Sequence, residues 1–489
     1  MADVLATLKS FPTDTKANLS PKVYNVKARN YLDALSKISS SAWTQRVGKQ
    51  SLLDTLDPAV HSIAYMHALL QHISVAGKDK GRLEALLACA VTFFSSFDPV
   101  QIRYASEEWG KLLTWLFDGV SKVEDADFGI LSTAMLRLDP TGGTFTSYHL
   151  RLVRLCLEAG QPSQALPVLN KNIYAFPQNL AKITSEEILC EENDLSNWFI
   201  TPRSGFTTSL SAEQILEYYL LGAQVYIGQR NWSRARLFLE FVLLTPSPGH
   251  VPSALQVEAY KKWILIGLLD IGRVYPLPKT IDPFAVKSIK TIAKSYECLG
   301  EDFDKRDWKK YQAELDIGTQ IWVEDGNLTL AKEAGDAILR YRVIDLQKTF
   351  AALPVSRVAY NLDLPRDHTR QLLTTMISEG HLHASLNENP KDSADPVLRF
   401  NYDPPVSSTP EEQDEELKNQ TKRVEELVMF IRDADRRLQL SKEYVESQRR
   451  IKRSFAGPDG DLADQMDLTW DAPAAPLTED GDEEDIMAL

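Results

Sequence analysis

Two histidines, His381 and His383, carry the clearest chemical suggestion in this chain. On an extended segment a His-x-His pair puts both imidazoles on one face, because successive strand side chains point to opposite sides. A hydrolytic zinc centre asks for more: a third ligand, and a glutamate to handle the proton of the metal-bound water. The cysteines offer no alternative metal site. Cys89, Cys156, Cys190 and Cys298 are scattered, with no Cys-x-x-Cys pair. Such usage points to a reducing compartment and against a disulfide framework. No Walker-type Gly-rich loop, Gly-x-Ser-x-Gly elbow or His-Glu-x-x-His helix is present. The paired glycines of "DPTGGTF" (Asp139–Phe145) lack a following Lys-Ser/Thr and read as a turn. The expectation is a protein with no catalytic residue, no metal and no cofactor.

The histidine pair lies in "TRQLLTTMISEGHLHASLNE" (Thr369–Glu388), which reads as a helix, a glycine stop and a strand. This is the shape of the recognition helix and first wing strand of a winged helix. Charge argues against nucleic acid as its target. From Asp336 to Tyr402 there are eight acidic and eight basic residues, and Arg366 and Arg370 are countered by Asp367 and Glu379. A duplex reader presents several Lys or Arg to phosphates around that helix. A neutral winged helix can instead pair a strand edge with a neighbour, backbone bonds giving affinity and alternate side chains specificity. The strand "PVLRF" (Pro396–Phe400), with Val397, Leu398 and Phe400, is the expected partner-binding segment.

The elements that must hold this segment are helical. At 489 residues the chain is too long for one hydrophobic core. Before residue 350 apolar residues recur at three- and four-residue steps, as in "LEALLACAVTFFSSF" (Leu83–Phe97). A weak repeat aligns "YHLRLVRLCLEAGQPSQALPVLN", from Tyr148, with "EYYLLGAQVYIGQRNWSRARLFLEFVL", from Glu217. Ala165 and Ala235 match at 70 residues, two units of about 35, close to the tetratricopeptide period. The expected fold is mainly α: a TPR-like helical-repeat array over 1–335, then a winged helix over 336–403. A long helix over 411–455 and an acidic, disordered tail over 456–489 complete it. The winged helix is expected to open with a separate helix at "YRVIDLQKTF". The most apolar stretch, "WILIGLLDIG" (Trp263–Gly272), is about half a bilayer span and reads as a core helix. No secretory signal is evident at the start and no membrane contact is expected.

In the long helix Val424, Leu427, Ile431, Ala434, Leu438 and Val445 fall at alternating three- and four-residue steps, with a skip at Ser441. So narrow a stripe on so long a helix asks for partner helices. "RRIKR" (Arg449–Arg453) ends the helix; it suits a nuclear import patch or a basic last turn favoured by the helix dipole. The net charge of −14 is a property of the tail. From Pro458 onward there are eleven acidic residues and no Lys or Arg, which leaves 57 acidic against 54 basic elsewhere. A near-neutral body lacks the positive field of a non-specific nucleic-acid binder.

The order of helical array, winged helix and long C-terminal helix resembles the PCI family of the proteasome lid, the COP-9 signalosome and a translation initiation factor. Four runs are similar to the signalosome branch of that family: "TFTSYHLRLVRLCLEAGQPSQALPVL", "YYLLGAQVYIGQRNWSRARLFLEFVLLTP", "ALQVEAYKKWILIGLLDIGRVYPLPK" and "LQKTF…MISEGHLHASLN". The resemblance covers about residues 130–400 and consists mostly of packing positions. It implies a scaffold in the complex that removes Nedd8 from cullin–RING ubiquitin ligases. The implied direct neighbours are the first and eighth subunits, the implied place of work nucleus and cytoplasm. The paralogous proteasome-lid subunit and a nucleic-acid-binding PCI protein share the architecture. The zinc isopeptidase of that complex is another subunit, patterned His-x-His, seven residues, Ser, two residues, Asp. Counted from His383, those positions hold Lys391 and Ala394, with Asp395 one residue late.

Overall fold

A computed structural model describes residues 2–11, 20–45, 51–77, 79–123, 126–177, 189–190, 195–247, 249, 251–387, 395–401, 410–439, 444 and 446–447. It is mainly helical and divides into two compact units, Met1–Met376 and Ile377–Leu489. In the first unit helices follow one another to Gln347 around one contiguous hydrophobic core that runs from Leu8 to Ile338. Sequence neighbours are packing neighbours: Ser62–Ala76 lies on Lys80–Ser96, Ala212–Gly228 on Trp232–Leu244, and Trp232–Leu244 on Ala254–Asp270.

One kind of turn makes many of these hairpins. Gly160, Arg230, Arg306, Gly326 and Asp363 each sit at positive φ, between 56° and 70°. In each case the next amide donates to the carbonyl five residues back, as Asn231 N does to Tyr226 O (3.0 Å) and Asp307 N to Asp302 O (3.0 Å). These are Schellman ends, which satisfy carbonyls the helix leaves open. After Arg230 and Arg306 the following residue caps the next helix at once. Asn231 Oδ1 accepts from Arg234 N and Asp307 Oδ1 from Lys310 N. A connector this short fixes the angle between two helices and so sets the curvature of the stack. An L-residue with a Cβ pays for the left-handed position; the two arginines offset that cost with long-range bonds. Arg230 pairs with Glu333, and Arg306 donates to Asp345 Oδ2 (2.9 Å) and Gly272 O (2.8 Å).

The expected helix–turn–helix repeat is present with one departure. Ala165 and Ala235 are both fully buried at the equivalent place. The second helix of the earlier unit, however, is a 3-10 turn, Pro162–Ala165, followed by the short helix Leu166–Leu169. Pro162 and Pro167 each lack the amide a regular helix would use, so the unit tightens instead.

Ala254–Asp270 is the central helix. It packs on Trp232–Leu244, Lys294–Asp304 and Leu328–Gln347, and Trp263, Ile264, Leu265, Ile266 and Leu268 are wholly buried. The apolar run is thus a core helix, as its length suggests, and no helix among the described residues is long and apolar enough to cross a membrane. A Cβ on Gly267 would lie 2.8 Å from Arg273 O and 2.9 Å from Tyr275 N, so only glycine lets the chain fold back this closely.

The border expected at 335/336 falls inside the continuous helix Leu328–Gln347. "YRVIDLQ" is the last part of that helix and not a separate one, which corrects the sequence reading. Gly335 lies inside this helix, where its missing side chain admits the Tyr311 ring, whose Cε1 would lie 3.1 Å from a Cβ there. Helices Val355–Leu362 and Arg366–Ser378 follow. In the second unit Ala384–Asn387 pairs antiparallel with Val397–Phe400, Ala384 opposite Phe400 and Leu386 opposite Leu398. Helix Pro410–Gln439 is the last element assigned, about 45 Å long at 1.5 Å per residue. Val445, "RRIKR" and the acidic tail lie outside the described residues.

Candidate functional site

The wing hairpin obeys the two-residue period of a strand. His381, His383, Val397 and Arg399 are exposed, while Leu382, Ala384, Leu398 and Phe400 are buried. Leu398 and Phe400 therefore belong to the folded interior and are not presented to a partner, contrary to the expectation for this strand. Val397 alone of the three reaches the surface, 37% exposed. The alternation that exposes the histidine pair is the same one that hides these two residues.

His381 and His383 do share a face, as the spacing implies. His381 Nε2 lies 3.5 Å from Glu379 Oε2. Among the described residues no group of three His, Cys, Asp or Glu side chains is placed to hold a metal. The two positions where the third and fourth elements of the peptidase pattern would fall, 391 and 394, lie outside the described residues.

The helix in the recognition position, Arg366–Ser378, buries Thr369, Leu373 and Met376. Its open side forms a shallow groove lined by Asp367, Arg370, Gln371, Thr374 and Thr375. One cation and one carboxylate cancel there, and the rest is neutral. The groove has little to offer a phosphate chain.

The strongest interaction signal is on helix Pro410–Gln439. Val424, Leu427, Ile431 and Leu438, the expected stripe, are 52–62% exposed, and Ala434 is exposed between them. Leu417 extends the same seam by seven residues toward the N-terminus. Sequence reading missed a second feature. Leu427, Val428, Met429, Phe430 and Ile431 are consecutive, and all are between 41% and 67% exposed. Five residues at 100° per residue go once around a helix, so this turn is apolar on every side. A seam suits one partner helix, but a belt must be enclosed from several directions.

Away from these surfaces, the "DPTGGTF" loop is a turn, with Gly142 N donating to Asp139 O (3.0 Å). Asp139 is buried and knots the loop: its carboxylate accepts from Thr141 Oγ1 (2.6 Å) and Ser196 Oγ (2.6 Å). Next to it His149 is the third residue of a capping box, its Nδ1 accepting from Thr146 N (3.0 Å). Burial pushes the His149 imidazole down to about 4; the nearby Asp139 and the Thr146 backbone bond only partly oppose this. Burial also lowers His61, His67 and His72. A histidine whose folded pKa lies below its unfolded one binds fewer protons when folded. Stability is therefore full above about 6.5 and declines as the pH falls toward 4. For His149 the loss is on the order of 3 kcal/mol. Melting curves between pH 7 and 4.5 should show that decline, and His149→Gln should flatten it. Glutamine is itself a capping-box residue and can keep the bond to Thr146. A variant that declines as steeply as the parent would remove His149 from the account.

Residues 27–284 match a family model described as COP9 signalosome complex subunit 3, N-terminal helical repeats. The chain is 31% identical over 423 residues to the COP9 signalosome complex subunit 3 of Emericella nidulans, covering 83% of this chain and 84% of that one. Its likeness to the protein so named in Neurospora crassa is 26% over 469 residues, 92% of each chain. For the Drosophila melanogaster protein of the same name the figures are 24% over 425 residues, 86% of this chain and 89% of the other.

Proposed function

The chain belongs to the COP9 signalosome subunit 3 family, and from that premise we propose that it is a non-catalytic scaffold subunit of the COP9 signalosome. The complex so built removes Nedd8 from cullin–RING ubiquitin ligases; this chain contributes architecture to it and no chemistry. The observation that carries the reading is the exposed apolar surface of helix Pro410–Gln439, a stripe plus a complete belt on a folded helix. A surface of that kind is unfavourable in water and calls for the other helices of a bundle. The array supplies reach, the winged-helix segment a second contact through the exposed Val397 side chain and the outer strand Ala384–Asn387, and the C-terminal helix the lock. Subunits 1 and 8 are the direct neighbours we propose, cullin–RING ligases are met only through the assembled complex, and the complex works in nucleus and cytoplasm.

Deleting residues 411–455 tests the reading. The truncated chain should keep the helical circular-dichroism signal of its array and stop co-purifying with the other subunits. Co-purification that survives the deletion would refute the bundle role. Identification of the partners retained by the full chain also decides against the paralogous proteasome-lid reading, which requires proteasome ATPases among them. Purified chain alone, given metal and a Nedd8-linked cullin, should show no turnover.

A further inference from the structure

Two of the left-handed helix ends line one cleft in the first unit. The turn at Arg306 leads into helix Trp308–Ile317, the turn at Asp363 closes helix Val355–Leu362, and the cleft they share measures about 380 Å³. Helix Leu328–Gln347 adds Leu339 and Arg342, three residues apart and so on one face, about 4.5 Å apart along the axis. The Trp308 indole, 37% exposed, and the half-buried Leu339 and Leu364 make the apolar part of the lining. The charged part is unbalanced. Arg306 is answered by Asp345, Lys305 by Glu301 (3.4 Å) and Asp307 by Lys310 (3.5 Å). That leaves Lys309, Arg342 and Asp363. Lys309 Nζ lies 2.8 Å from Asp363 Oδ2, and both side chains are largely exposed. Arg342 donates to the helix-end carbonyls Leu362 O (3.4 Å) and Asn361 O and has no carboxylate at ion-pair distance among the described residues. Lys309 chiefly, with a smaller share from Arg342, holds the Asp363 carboxyl below the usual carboxylate range. One carboxylate thus serves two cations, and one positive charge is left over beside an apolar lining.

We propose that this cleft takes a short segment of a partner protein in which a large apolar residue stands next to an acidic one. The apolar side chain lies against Trp308, Leu339 and Leu364, where an indole offers a large rigid contact area. The carboxylate meets Arg342 and Lys309, and because Leu339 and Arg342 are neighbours on their helix, adjacent residues of the segment reach both. Asp363 already shows the position: it is the chain's own carboxylate on Lys309. An exposed pair of that kind is weakly held, so an incoming carboxylate can share Lys309 and take Arg342. Charge here selects the partner more than it adds affinity. A single-stranded nucleic acid is a poorer match. It stacks on several aromatic rings and follows a basic groove, and this cleft has one ring and one surplus charge.

The test uses the full chain and the capped dipeptide N-acetyl-Phe-Glu-amide, with N-acetyl-Phe-Lys-amide as control. Saturation-transfer NMR should show transfer to the phenyl ring of the first, which should bind at least about threefold more tightly than the second. Trp308→Ala should remove the signal, and Lys309→Ala should weaken binding by about threefold. Asp363→Asn is the decisive variant. It removes the competing carboxylate and keeps a residue that tolerates the left-handed backbone, so it should bind the acidic dipeptide about threefold more tightly than the parent. A damaged fold cannot produce a gain, so this variant decides the matter even if Trp308→Ala unfolds the turn. Equal binding of the two dipeptides, an Asp363→Asn chain that binds no more tightly, or a Trp308→Ala chain that folds and keeps the signal would overturn the proposal. So would tighter binding of single-stranded RNA through Trp308, or self-association of the chain through the cleft. None of these outcomes bears on co-purification through helix Pro410–Gln439, so the two readings fail separately.

Discussion

A chain carrying Leu427→Asp and Ile431→Asp should fold as the parent does and fail to co-purify with the other signalosome subunits. Both side chains are more than half exposed, at 52% and 62%. Replacing them therefore removes no contact from the isolated protein, and its melting temperature should move by no more than a degree or two. In the bundle both would be enclosed. Burying one Leu or Ile contributes about 1.5–3 kcal/mol, so losing two costs at least about 3 kcal/mol before the penalty of enclosing two carboxylates. That corresponds to at least about a hundredfold weaker association. The control is Leu417→Asp, outside the belt, which should weaken assembly less. If the double variant assembled as well as the parent, the belt would have to serve some other purpose.

The second large effect is expected on stability, and it comes from charges inside the array. Lys262 lies on the central helix with its side chain 7% exposed, and its Nζ donates to Glu258 Oε1 (2.6 Å) and Asn327 Oδ1 (2.7 Å). Lys261 donates to Asp325 Oδ1 (2.6 Å), and the Tyr296 hydroxyl donates to Asp325 Oδ2 (2.8 Å). Asn327 Nδ2 completes the circuit to Glu258 and to the Tyr296 hydroxyl. This network ties helix Ala254–Asp270 to helix Lys294–Asp304 and to the turn before Leu328. Glu258→Ala leaves the buried Lys262 ammonium without a carboxylate. Removing one partner of a buried pair costs about 3–5 kcal/mol; Glu258 is a quarter exposed, which favours the lower end. Lys262→Met removes the charge itself and leaves Asn327 Oδ1 unmatched, at about 1–3 kcal/mol. Thermal unfolding should therefore rank Glu258→Ala below Lys262→Met, with the former melting roughly 4–6 °C below the parent. The double variant Glu258→Met, Lys262→Met should lose less than the sum of the single changes. An additive double variant would show that the pair is not coupled.

Much of this was legible along the chain. Helical period, glycine stops and the charge balance around Arg366 and Arg370 led to the helical array and away from nucleic acid, because these signals are local. Three features escaped for reasons that can be stated. The separate helix expected at Tyr341 is the continuation of Leu328–Gln347, a helix held in part by a contact invisible locally, Gly335 against the ring of Tyr311, which is distant in sequence. Leu398 and Phe400 were grouped with Val397 by their apolarity, although alternation places them on the opposite side. The belt Leu427–Ile431 was overlooked because counting at three- and four-residue steps records a stripe and passes over a consecutive run. The charge network was invisible altogether: Glu258 and Lys262 look like an ordinary i, i+4 surface pair. Only the enclosure of their helix on several sides turns them into an interior circuit.

The belt also has a consequence for the economy of the cell. "LVMFI" is uncharged, free of proline and rich in β-formers, the composition of a segment that sticks to its own kind when left uncovered. Folding of the chain does not hide it, because the helix that bears it is already formed and still shows it to solvent. Only assembly does. A copy synthesised in excess of its partners thus stays open to chaperones, proteases and aggregation, however stable its array. If the proposed bundle covers these five residues, the abundance of this protein should follow the supply of the subunits that do so, and stoichiometry is enforced by solubility.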